Sequence, residues 1–317
     1  MALLLPRGTS DFAQVRRDGL HYVDKTGFAV EVIRSTSRVA LIPRPRRFGK
    51  TINLSMLRYW LERPVPGAPA AGDIATLFED LEIATAGDDV AAHFQRHPVI
   101  FLTFKDAKGD TWAPCRAAIQ KELAREVGRL RTVWEPAPLT AGERRTLEAV
   151  DAEAATDGDM EAALLALSRG LHLATGEEVV VLIDEYDAAI HAGWAQGYYD
   201  PVLTLCRNLL SAGLKDNKHL YRGVITGILR VAKESIFSGL NNVAVYTLLA
   251  EEYSKWFGFS EREVEELCAL SDPAGDLPGI VMAWAQSARR PATTWELTID
   301  TNVSSNGWTI CATANFA

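Results

Sequence analysis

The sequence predicts an α/β fold: a three-layer sandwich with a central parallel sheet. Short apolar runs at 39–43 (VALIP), 99–104 (VIFLTF) and from Val179 (VVVLID) are bounded by turn residues, as buried strands are. Stretches with helical spacing lie between them, and parallel strands need such crossovers. Two of the strands end in chemistry-bearing residues, a Gly-Lys-Thr turn after the first and paired carboxylates after the third.

Each element has its own signal. Tyr22 to Thr26 precedes a helix through Ile33, with Asp24 as the expected N-cap. After Thr51 the run TINLSMLRYWLE sets Ile52, Met56 and Tyr59, with Leu54, Leu57 and Leu61, at helical spacing until Pro64 and Pro66 end it. Residues 63–72 are rich in Pro, Ala and Gly and read as a surface loop. Pro98 announces the strand at 99–104. Helices are expected at 112–131, 142–155 and 160–174. From Val179 four β-branched residues and one leucine run together, the most strand-like segment of the chain. A helix at 200–214, a strand at 220–226 ending at Gly227, and a strand at 245–249 complete the reading. No internal repeat is visible.

A chain of 317 residues is ample to bury a core, and 48% hydrophobic with 23% charged residues is the balance of a globular protein. The net charge of -8 does not suit a general nucleic-acid binder, although a local basic patch remains open. Cys115, Cys206, Cys268 and Cys311 lie far apart without CxxC spacing, which favours free thiols over zinc or a disulfide framework. The apolar run at the N-terminus is too short for a signal-peptide core, and no stretch is long enough to span a membrane. The expected location is the cytoplasm, with no membrane partner.

The turn after the first strand reads R-P-R-R-F-G-K-T, from Arg44 through Pro45, Arg46, Arg47, Phe48, Gly49 and Lys50 to Thr51. The phosphate-loop pattern is GxxxxGK(S/T), so its second half is intact and Arg44 replaces the first glycine. In such a loop, backbone N–H groups and the following helix N-terminus face the phosphates. Gly49 lets the backbone approach, Lys50 reaches the β- and γ-phosphates, and the Thr51 hydroxyl ligates magnesium. The bland alternative is an ordinary strand–turn–helix with a basic turn.

The third strand ends with Asp184 and Glu185. Two carboxylates at the end of a buried strand are costly unless they are used. Asp184 would orient magnesium and Glu185 would act as general base on water. By themselves they also fit a solvated loop start. The strand at 99–104 lies between the two motifs in sequence, an order that suits phosphate-loop proteins in which an extra strand separates them. The fourth strand ends T-G-I-L-R. Thr226 would contact the γ-phosphate or water, and Arg230 would act on the γ-phosphate in cis or point to a partner. The alternative makes Thr226 a turn residue and Arg230 a surface charge.

Together these segments resemble one family. They are Y-V-D-K-T at 22–26, the loop at 44–51, I-D-E-Y-D at 183–187, T-G-I-L-R-V-A-K-E-S-I-F-S-G-L-N-N at 226–242 and F-G-F-S-E-R-E-V at 257–264. They resemble the AAA-ATPase-like family of bacteria and archaea, phosphate-loop NTPases often fused to a PD-(D/E)XK nuclease-like C-terminal domain. The family also carries arginine in place of the first loop glycine. The resemblance implies ATP and Mg2+ as cofactors, with Lys50, Thr51, Asp184 and Glu185 in the roles above. It also puts Tyr22, Asp24 and Lys25 near the nucleotide. The expected organisation is an AAA-ATPase-like domain at 1–257, then a short helical extension and divergent tail at 258–317 without the nuclease-like domain. From Pro291 that tail is rich in Thr, Asn and Trp, with only Glu296 and Asp300 charged. A truncation or a shifted reading frame would account for it.

Two functional readings stay open: an ATP-hydrolysing enzyme, and an ATP-binding switch or scaffold with little hydrolysis that acts through protein partners. A neighbouring subunit of a homo-oligomer could receive Arg230 or Arg222 as an arginine finger. Nucleic acid enters as a partner by family analogy alone. His93 and His97 are four apart but lack a third ligand, so metal binding there is not expected.

Overall fold

The computed structural model describes residues 6, 8–66, 74–215, 217–228 and 242–271, together with two strands at 296–300 and 309–313. The elements run α1 (Phe12–Arg17), α2 (Gly27–Arg34), β1 (Val39–Pro43), α3 (Lys50–Leu61), α4 (Asp88–Ala91), β2 (Val99–Thr103), α5 (Trp112–Arg129), α6 (Arg131–Trp134), α7 (Ala141–Asp151), α8 (Asp157–Thr175), β3 (Val179–Asp184), α9 (Ala188–Gln196), α10 (Tyr199–Leu214), β4 (Leu220–Gly227), β5 (Val243–Val245) and α11 (Glu261–Ser271). A separate antiparallel pair joins β6 (Glu296–Asp300) to β7 (Thr309–Thr313).

The main sheet has the order β2-β3-β4-β1-β5, and every pairing in it is parallel. Period-2 alternation sends successive strand residues to opposite faces. Val39, Leu41, Val179, Val181, Ile183 and Ile225 enter one core with α5, α7, α8 and α10. Ala40, Ile42, Val180, Leu182 and Val224 enter a second core with α1, α2 and α3. Both faces are covered, which explains the near-continuous apolar runs.

The strand that separates β1 from β3 in space is β4. The strand between them in sequence, β2, lies at the edge. Its outward backbone is occupied by α5. Glu126 and Glu122 accept from the backbone N–H groups of Phe101 and Thr103, both at 2.7 Å, and Arg129 donates to the Val99 carbonyl at 2.8 Å. Charged side chains thus close an edge that would otherwise pair with another chain.

Several boundaries differ from the sequence reading for local reasons. Helices α7 and α8 start earlier than expected because Thr140 with Glu143, and Thr156 with Asp159, form capping boxes. Helix α9 gives little amphipathic signal, since AAIHAGWAQ is apolar or small nearly all round. Strand β5 sits at 243–245 rather than 245–249. Its pairing with β1 ends at Leu41 and Val245, and Leu248 and Leu249 are exposed. Asp24 is not the N-cap of α2, which is Thr26. Asp24 Oδ1 instead accepts from the Thr26 backbone and hydroxyl at 2.8 and 2.6 Å, and its Oδ2 accepts from the Glu82 N–H at 2.7 Å. Among the described residues, no helix is long and apolar enough to cross a membrane.

Candidate active site

In parallel sheets of this kind, ligands bind beyond the carboxyl ends of the strands. The register sets three such ends side by side. Pro43 pairs with Gly227 at the ends of β1 and β4, and Ile183 pairs with Ile225 one residue before Asp184 and Thr226. The loop at 44–49, the carboxylates and Thr226 therefore share one edge.

Gly49 has φ of 77° and caps α3 without a side-chain bond. It takes a left-handed turn that favours glycine and leaves the first N–H groups of α3 to an anion. Lys50 is buried, and its Nζ donates to the carbonyls of Arg44 at 2.9 Å and Pro45 at 2.7 Å. Burial pushes its ammonium below the ordinary lysine value, opposed by the charges of Asp184, Glu185 and Asp187. Arg46 and Arg47 are exposed, and Phe48 packs into the second core.

Asp184 is 2% exposed and fully engaged. Its Oδ2 accepts from the Thr51 hydroxyl at 2.6 Å, and its Oδ1 accepts from the Thr226 hydroxyl at 2.6 Å and the Glu185 N–H at 3.0 Å. Thr51 and Asp184 put two hard oxygen donors together, a set suited to magnesium, which binds few protein ligands and keeps waters. Glu185 is half-buried with φ of 51°, a left-handed conformation that is strained for glutamate. The strand ends are sewn together beyond it. Tyr186 N–H donates to the Thr226 carbonyl at 3.1 Å, and Ile228 N–H donates to Asp187 Oδ2 at 2.9 Å. A Cβ at Gly227 would lie 2.6 Å from the Tyr186 ring and 2.7 Å from Asp187 Oδ1, so only glycine fits there. Arg230 lies outside the described residues.

Beside Gly49 opens a cavity of about 250 Å³, lined in part by Tyr22, Phe48, Ile52, Asn53, Trp256 and Phe259. Tyr22 stands edge-on to Phe12, and its buried hydroxyl has no hydrogen-bond partner among the described residues. Burial holds its pKa well above the ordinary phenol value. Lys25 reaches the same wall and pairs with Glu263 at 2.6 Å. Glu31 accepts from Tyr253 N–H at 2.8 Å and from the Trp256 indole, and Asn53 Nδ2 donates to the Trp256 carbonyl at 2.8 Å. Asn53, Trp256 and Phe259 were not singled out as site residues from the sequence. Of the three only Phe259 lies in the matched 257–264 segment, because the wall is assembled from positions far apart in the chain.

The chain is 30% identical over 291 residues to an uncharacterized protein in the vnfD 5′ region of Azotobacter chroococcum mcd 1. The alignment covers 88% of this chain and 47% of that protein, so the chain spans about half the length of this relative. No solved structure matches it. With a phosphate-loop turn and paired carboxylates on one sheet edge, and with a family model described as Predicted AAA-ATPase matching residues 6–237, the chain belongs to the AAA-ATPase-like family.

Proposed function

We propose that the chain binds ATP with Mg2+ and hydrolyses its terminal anhydride bond. The observation that carries this reading is the contact of the Thr51 hydroxyl with Asp184 at 2.6 Å, which joins the phosphate-loop helix to the acidic strand end. Thr51 and Asp184 would hold the metal, which neutralises phosphate charge when bound. The base would enter the cavity between Tyr22, Phe48 and Trp256. Lys50 would leave the carbonyls of Arg44 and Pro45 for the β- and γ-phosphate oxygens, joined by N–H groups at the start of α3. Glu185 would accept a proton as the water oxygen bonds to the γ-phosphorus and the bond to the bridging oxygen breaks, releasing ADP. Thr226 keeps Asp184 in place from the far oxygen.

One observation favours the second reading, a nucleotide-dependent switch. Lys50 is held by the loop's own carbonyls, so ligand binding would draw Lys50 away and free those carbonyls. ATP binding and turnover with Mg2+ on the wild type, Lys50→Ala and Glu185→Gln decide between the two. The enzyme predicts turnover in the wild type, lost binding in Lys50→Ala, and binding without turnover in Glu185→Gln. Binding with negligible turnover in the wild type selects the switch. No binding by a folded wild type rejects both.

A further inference from the structure

Arg44 occupies the position where a phosphate loop ordinarily has its first glycine. Its side chain is not presented to solvent: the residue is 1% exposed. Nη1 donates to the carbonyls of Pro43 at 2.9 Å and Tyr246 at 2.7 Å, and the guanidinium carbon lies 5.2 Å from the Phe257 ring centroid. Nε and Nη2 are buried without a hydrogen-bond partner among the described residues. Burial pushes its pKa down to about 10. Burying an under-satisfied cation is costly, and an apolar side chain would fill the same space without that cost. Packing alone does not account for an arginine here.

The backbone of Arg44 is fixed as firmly as its side chain. Its N–H donates to the Gly227 carbonyl at 2.9 Å, and its own carbonyl accepts from Lys50 Nζ at 2.9 Å. The side chain reaches toward the end of β5 and the 256–258 turn, which is tied once more to the loop and once to α3 just after it. Gly258 N–H donates to the Phe48 carbonyl at 3.1 Å, and Asn53 donates to the Trp256 carbonyl. That same turn supplies Trp256 and Gly258 to the cavity wall beside Gly49.

Resting on the nucleotide reading above, we infer that Arg44 is a positioning residue that couples the phosphate loop to the cavity wall, so that the two ends of the nucleotide site are set as one unit. It acts through the loop backbone and the Phe257 ring, without touching phosphate. An ordinary first glycine leaves the loop free at this point, whereas Arg44 joins it to the wall.

Hydrogen exchange on the full chain without nucleotide tests the coupling directly. In Arg44→Gly, which restores the usual loop pattern, and in Phe257→Leu, peptides covering 44–54 and 246–258 are expected to exchange faster together, while β2 and β3 keep their protection. ATP affinity and steady-state kinetics with Mg2+ on the same proteins separate positioning from mere stability. Each variant is expected to raise Kd and KM about tenfold with kcat largely kept. The double variant should be no weaker than either single one, because both changes remove one strut. Arg44→Lys should recover little, since it keeps charge but loses the planar group that stacks on Phe257.

Faster exchange confined to the loop, or an Arg44→Gly protein that binds ATP as tightly as the wild type, overturns the inference. So does a melting shift with unchanged ATP affinity. If the wild type binds no ATP, the nucleotide reading falls by that result, and the exchange data still decide whether loop and wall are coupled.

Discussion

The Thr51 hydroxyl donates to Asp184 across 133 positions of sequence, on the carboxylate oxygen that Thr226 leaves uncovered. The two threonines therefore divide one carboxylate. Thr51 stands on the phosphate-loop helix, and Thr226 stands on the strand behind it.

This division separates their variants. Thr226→Val removes a hydrogen bond to a buried charge and is expected to cost about 1.5–3 kcal/mol, read as a lower denaturant midpoint at unchanged slope. ATP binding by that variant should still respond to Mg2+. Thr51→Val should lose the response. If both variants lose it equally, Thr226 is itself a ligand and the assignment of the pair is wrong.

The closed edge of β2 makes a second test. Glu126 is 1% exposed, binds Phe101 N–H and pairs with Arg129 at 2.7 Å. Glu126→Ala opens that edge and strips a partly buried guanidinium of one partner. A loss of about 3 kcal/mol is expected, with increased light scattering on warming. An unchanged urea midpoint would contradict this account of the edge.

Helix α2 meets the cavity wall at Gly27, where an added Cβ would come within 2.0 Å of the Trp256 ring. Gly27→Ala must displace the indole from Glu31, at a cost of about 1–3 kcal/mol. Trp256→Leu in the same chain should restore part of that loss. Additive losses in the double variant would show that the two side chains do not compete for the space.

The histidines give a pH dependence. His93 Nδ1 lies 2.8 Å from His97 Nε2, His97 Nδ1 lies 2.8 Å from the Glu178 carbonyl, and both rings stack on Tyr221. Burial pushes both imidazoles below their ordinary value. Arg96 and Arg222 push them further down, while Asp89 opposes this at His93 and Glu177 and the Glu178 carbonyl oppose it at His97. The unfolded chain then binds protons first, near pH 6.5. Their stabilising contribution is full above that pH and is lost as pH falls through it toward the lower folded values. The melting temperature should fall between about pH 7.5 and 5.5. The slope should be shallower in the His93→Gln/His97→Gln double variant, and an unchanged slope would remove these histidines as its source.

The strands of the sheet and the chemistry-bearing turn were legible because each is local. Val179 to Ile183 can hardly be anything but a buried strand, and a loop ending Gly-Lys-Thr before an amphipathic helix states its own geometry. The spatial order was not legible. Nothing in the residues of β2 says that it lies at the edge while β4 slips between β1 and β3, since that depends on pairings made far along the chain. Asp24 shows the limit of local rules: a residue suited to an N-cap instead bridges Thr26 and the Glu82 N–H. Arg44 shows it again, because nothing local in the loop says that its guanidinium lies against Phe257, more than two hundred residues away.

The left-handed backbone of Glu185 sets heat tolerance against chemistry at a single position. A glycine there would relieve roughly 1 kcal/mol of local strain, partly offset by a looser unfolded chain, and would remove the carboxylate proposed to take the proton from water. Selection of this protein for survival at higher temperature alone would drift toward that exchange, and its hardiest descendants would be those that had given up the proposed turnover.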